Sequence, residues 1–167
     1  MPTPYAGYVG DRNPADLLIP TLEEYRDAVF LLAGAAWDQP WAPGKWTLRQ
    51  IMVHVAQWEM ILGYRLACAA SVPDFEIQGA DQEPLMRHTA GIDGPTAFAA
   101  FDGARRMNTS LIQSLSDNDR ATVVKHPEYG PITVHDLIVQ MAGHAMHHLK
   151  QIRQALGPAP VVPPLGG

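Results

Sequence analysis

The 167-residue sequence holds a single cysteine, Cys68, which excludes an intrachain disulfide and leaves no thiolate set for a zinc site. It contains no run of about 18 apolar residues, so no segment is expected to span a bilayer. Basic runs that would follow a phosphate backbone are missing, and the formal net charge is -5, which disfavours nonspecific nucleic-acid binding. The opening "MPTPYAGYVGDRNP" lacks a basic segment followed by an apolar core, so it does not read as a secretory signal. No nucleotide-binding glycine loop, Ser-His-Asp arrangement, haem motif or internal repeat is visible. These gaps leave a soluble cytoplasmic protein acting on a small molecule, with no nucleic-acid or membrane partner, as the expectation.

What is present is helical. The length fits one domain, expected over residues 1–157 and followed by a Pro/Gly-rich tail, 158–167. Residues 1–13 read as an irregular lead-in. Four segments carry apolar residues at helical spacing. The first runs from Pro14 or Thr21 to Ala36, with Thr21 and Glu24 in capping-box positions and Leu22, Tyr25, Val29 and Leu32 on one face. The second starts at the Thr47/Gln50 box and runs to Ala70. The third begins near Pro95 and carries Phe98, Phe101, Met107 and Leu111 to Leu115. The fourth is capped by Thr133 with Asp136 and stopped by Gly157 and Pro158. Residues 71–93 form a long connection, of the kind that is often functional. Residues 121–132 read as a short extended turn, and nothing supports a sheet. The fold class expected is all-α, a four-helix bundle.

Three histidines crowd "GHAMHHLKQI", residues 143–152. Positions three and four apart share a helix face, so His144 and His148 stack one turn apart beside Leu137, Met141 and Ile152. His147 lies about 60° round the helix from His144, at the edge of that stripe. His54 of the second helix shares its face with Ile51, Trp58 and Ile61. Two bundle helices can therefore bring His54, His144 and His148 together. Three neutral imidazoles suit Zn²⁺, Ni²⁺ or Fe²⁺ and leave a position open for water or substrate. Hydrogen-bonded core histidines are the alternative. His88, His126 and His135 read as surface or turn residues.

Several blocks carry a family resemblance. "GKWTLRQIMVHVAQWE" resembles the second-helix block, and "HPEYGPITVHDLIVQMAGHAMHHLKQI" the fourth-helix block, of the DinB/YfiT-like superfamily of metal-binding four-helix bundles. "YVGDRNPADLL" and "EIQGADQEP" are similar to stretches of one large subgroup. The resemblance implies an up-down-down-up bundle with a long crossover between the second and third helices. It also implies a divalent metal on His54, His144 and His148, and a homodimer. Characterised members are similar to thiol-dependent transferases and isomerases using bacillithiol, mycothiol or glutathione. One departure is local: the subgroup often has an aromatic residue soon after its Asp-Gln pair, whereas Asp81 and Gln82 lead here to "EPLM".

An open metal site lowers the pKa of a bound thiol or water, so the attacking sulfur can come from a small-molecule thiol cosubstrate. Cys68, about 21 Å along the helix from His54, reads as a small core residue. Glu59 is a candidate proton acceptor, outer partner of the metal or ligand, with an ion pair as the alternative. Arg65 is a candidate for binding an anionic substrate or thiol carboxylate, or for pairing with Glu59 or Asp81. Trp58, alone among the tryptophans, is expected at the pocket, Asp81 is expected to fold over the metal, and Gln151 to orient His148. The function expected is a metal-dependent transferase joining a low-molecular-weight thiol to an electrophile. A non-catalytic metal-binding stress protein and a metal-dependent hydrolase are the alternatives.

Overall fold

The computed structural model describes residues 3–157, so the expected tail, 158–167, lies outside the described residues. In chain order the elements are α1 (Ala6–Val9), a 3-10 turn (Pro14–Leu17), α2 (Leu18–Phe30), a second 3-10 turn (Gly34–Asp38), α3 (Leu48–Ser71), α4 (Gln82–Met86), α5 (Gly94–Ser114), α6 (Asp117–Ala121), β1 (Val123–His126), β2 (Gly130–Thr133) and α7 (Val134–Leu156).

The long helices α2, α3, α5 and α7 form a four-helix bundle. At one end, Leu22 and Tyr25 of α2 and Leu32 just beyond it pack with Ile51 and Val55 of α3, Ala97 and Phe101 of α5, and Leu149 and Ile152 of α7. At the other end, Leu18 packs with Leu62, Leu66, Ile112, Leu137 and Met141. Late residues of α2 and α7 thus meet early residues of α3 and α5, which is the up-down-down-up order. Since α3 and α5 run parallel, the chain between them must travel back along the bundle, about 36 Å for the 24 residues of α3.

Capping chemistry sets two of the helix starts as the spacing predicts. Thr47 with Gln50, and Thr133 with Asp136, each form a reciprocal capping box. Thr21 with Glu24 does not. The 3-10 turn at Pro14, capped by Asn13, has already started the chain turning, and Thr21 is buried inside α2. That helix also stops at Phe30 rather than Ala36, and the second 3-10 turn opens on Gly34 at φ +52°.

Three further expectations need correction. Met107 is 68 % exposed, because the inward face of α5 is Ala97, Phe101, Arg105, Asn108 and Ile112. A two-stranded antiparallel hairpin occupies 123–133, with Val124 opposite Ile132 and both buried. Ile77 of the crossover donates its N–H to Lys125 O at 3.0 Å, which sews the long connection to this hairpin. Finally, the lead-in is structured: α1 packs on α7 and buries Val9.

That packing depends on Gly143. A Cβ there would lie 2.4 Å from Tyr5 O and 2.8 Å from Tyr5 Cβ. Glycine to alanine within a helix ordinarily stabilises by about 1 kcal/mol. Here Gly143→Ala is expected to destabilise instead, by lifting the 3–10 segment off α7. Trypsin should then cut at the exposed Arg12 faster than in the wild type. Unchanged digestion together with a raised Tm would contradict this.

Candidate metal centre

His54 is near the start of α3 and His144 and His148 are in the middle of α7, so the antiparallel α3/α7 contact brings them to one level. One ring nitrogen of each lies within 4.8 Å of those of the other two. His54 Nε2 and His144 Nε2 are 3.0 Å apart. All three rings are buried, at 2 to 6 % exposure. Burial is the main cause that pushes the His54 pKa down to about 4 and that of His148 down to about 3. His144 is held well below its ordinary value by burial, then by the charges of His148, His54, His147 and Arg105. At neutral pH all three imidazoles are therefore uncharged and keep a lone pair.

Hydrogen bonds decide which nitrogen of His148 is free. Its Nδ1–H donates to Gln151 Oε1 at 2.8 Å. The amide Nε2 of Gln151 is then turned to His147 Nε2, 3.3 Å away, and donates to it. His147 must carry its proton on Nδ1, which donates to Tyr8 Oη at 2.7 Å. With the Gln151 amide in this orientation the chain runs in one direction, and it leaves His148 Nε2 unprotonated. That atom is buried and has no partner. An unsatisfied buried polar atom costs about 1–3 kcal/mol. A cation shared with His54 and His144 removes that cost, so the donor set fits a divalent metal of the imidazole-preferring kind.

His54 and His144 line a cleft of about 500 Å³ with Tyr5, Trp58, Gln140, Glu128 and Tyr129. Trp58 stands 6.1 Å from the His54 ring and 5.8 Å from His144, and Asp81 and Gln82 close one side. Trp58 and Asp81 both line the cleft, and Asp81 also caps α4 by accepting from Glu83 N. Gln151 orients His148, as its spacing predicts.

Other candidates lie elsewhere. Glu59 is buried in the bundle and does not line the cleft. Its Oε2 accepts from Arg105 at 2.7 Å and its Oε1 from Asn108 at 2.9 Å. Neither a surface nor an intrahelical pair forms, and both oxygens are taken. Arg65 pairs with neither Glu59 nor Asp81; it donates to Gln78 O at 2.6 Å and lies over the Trp58 ring. Cys68 is half-buried rather than a core residue. His126 is buried, stacked on Tyr129 at 4.3 Å, whereas His88 and His135 are exposed.

Sequence reasoning passes over Tyr5, Tyr8, Trp46, Gln140 and the hairpin residues. Trp46 approaches His54 to 4.9 Å, closer than Trp58 does. Tyr5 meets His144 edge-on at 5.2 Å. Gln140 is one turn before His144 on the same face, and that i, i+4 relation is a signal the sequence does contain.

Fold and cluster together define a class: a helical bundle with three convergent imidazoles, two of them lining an open cleft. The chain belongs to the DinB superfamily, which residues 18–152 match. It is 27 % identical over 128 residues to OB0782 of Oceanobacillus iheyensis, named as a presumed metal-dependent hydrolase, spanning 76 % of this chain and 74 % of that protein. It is 23 % identical over 150 residues to YfiT of Bacillus subtilis, named likewise, spanning 86 % and 84 %. The solved YfiT structure, described as a four-helix bundle of unusual topology, superposes with a TM-score of 0.76 at 21 % identity, covering 83 % of this chain and 81 % of YfiT. A mycothiol-dependent maleylpyruvate isomerase superposes with a TM-score of 0.65 at 11 % identity, covering 79 % of this chain and 57 % of the isomerase.

Proposed function

We propose that the protein holds one divalent metal ion on His54, His144 and His148 and transfers a low-molecular-weight thiol to a small electrophile. The observation that carries this reading is the convergence of three neutral, buried imidazoles, one with a free Nε2, beside an open cleft. A divalent cation with an open position supplies Lewis acidity that makes a thiol available as thiolate near neutral pH. The side chains do the rest. Trp58, Tyr5 and Tyr129 wall the cleft and hold an apolar or flat electrophile. Gln140, buried against His144's turn, offers an amide to a polar group of either substrate. The sulfur lone pair forms the new bond to carbon, the leaving group departs with the pair of the broken bond, and the thiol proton passes to the carboxylate of Glu128 or Asp81 at the rim.

Hydrolysis is the second reading, favoured by the names of the relatives. It requires a base next to the attacking water. Glu59 is committed to Arg105 and Asn108, so among the described residues lining the cleft the exposed Asp81 and Glu128 are the carboxylates that offer one. Transfer places a smaller demand on such a base, because a thiol gives up its proton far more readily than water does.

The test is thiol consumption by protein loaded with Zn²⁺, Ni²⁺ or Fe²⁺. Bacillithiol, mycothiol and glutathione are each paired with an aryl halide and an epoxide. Consumption that needs metal and vanishes in His144→Ala supports transfer. Thiol loss at the blank rate, with ester or amide cleavage in the absence of thiol, would replace transfer with hydrolysis.

A further inference from the structure

A second cavity, of about 340 Å³, lies beside the cleft, and Gly79 and Ala80 line both. Met60, Ile61, Tyr64 and Phe75 make its wall apolar, and Arg65 is its only charged lining residue. Arg65 is 4 % exposed. Its Nη2 donates to Gln78 O and its guanidinium lies 5.5 Å from the centre of the Trp58 ring. Nε and Nη1 have no hydrogen-bond partner among the described residues, and no carboxylate forms an ion pair with Arg65 there. The acidic group that bears on it is the exposed Glu128 of the hairpin, whose charge favours the guanidinium without bonding to it. An uncompensated charge in a desolvated position is costly. The other buried guanidinium, Arg105, has Glu59 as its countercharge; Arg65 has none.

We infer that this cavity is a binding site for a small amphipathic carboxylate. The apolar body lies among Met60, Ile61, Tyr64 and Phe75, and the carboxylate takes the free N–H groups of Arg65. A planar carboxylate matches the guanidinium fork, and the volume is in the range of small-molecule pockets. The site needs no metal and stands apart from the thiol-transfer reading.

Calorimetry of the full chain with octanoate, octanamide and octylamine tests this. Octanoate is expected to bind at least tenfold more tightly than either, and Arg65→Met to remove the preference. Met60→Asp, on the half-exposed rim, should weaken octanoate about tenfold while leaving the fold intact, so the test survives if Arg65→Met is poorly folded. His144→Ala should leave octanoate binding unchanged. Equal affinities for the three ligands, a preference that persists in folded Arg65→Met, octanoate affinity unchanged in Met60→Asp, or loss in His144→Ala would overturn the inference. The last result would put the carboxylate at the histidines.

Discussion

Replacing His148 with alanine is expected to strip the protein of its divalent metal while the bundle stays folded. Losing an outer partner of a metal ligand typically costs about 10–100-fold in affinity, and losing a ligand must cost more. The fold should survive, because in the metal-free protein His148 already carries an unsatisfied buried Nε2, and removing it relieves that atom. The cavity left by the ring offsets part of this gain. Titration with Zn²⁺ against a competing chelator, alongside circular dichroism, measures both halves. Gln151→Leu provides a graded companion. It deprives His148 Nδ1–H of its acceptor and frees the tautomer, so affinity should fall less than in His148→Ala. Unchanged affinity in His148→Ala would remove that residue from the ligand set.

The second large effect is on stability. Glu59→Ala should cost about 3–5 kcal/mol, the usual penalty for breaking a buried ion pair from one side. Arg105 is fully buried and would lose its countercharge, and Asn108 would lose an acceptor. A domain of this size has a total stability of about 5–15 kcal/mol, so the variant should sit close to unfolding. Glu59→Met combined with Arg105→Met should recover most of the loss, because no lone charge remains. Urea unfolding of Glu59→Met, Arg105→Met and the double variant reads the coupling directly. A cost below about 1 kcal/mol for Glu59→Ala would show that the pair is solvated, contrary to its burial.

Both effects trace to polar residues on helix faces, and these differ in how readable they are. The His54, His144 and His148 faces follow from the 3.6-residue repeat, because apolar neighbours on both helices mark the same side. The partner of Glu59 does not. Arg105 and Asn108 occupy the inward stripe of α5 between Phe101 and Ile112, and a reading by apolar residues alone turns that helix towards Met107. The 101, 105, 108, 112 spacing holds the correct face only if buried charge is allowed. The hairpin escapes notice because four-residue strands around Gly130 are too short to show alternation. The lead-in escapes because its order comes from outside itself: Tyr5 settles on Gly143, and Tyr8 meets His147, contacts between residues well over a hundred positions apart. Capping boxes were readable at Thr47 and Thr133, where a loop precedes the helix, and misleading at Thr21, where a 3-10 turn does.

X-ray absorption at the metal edge of reconstituted protein, with elemental analysis for stoichiometry, probes the histidine cluster itself. One divalent ion per chain is predicted, with three imidazole nitrogens in its first shell at about 2.0–2.1 Å for zinc and a further light-atom ligand in the open position. A protein that retains no metal after reconstitution, or a shell with fewer than three imidazoles, would contradict the account.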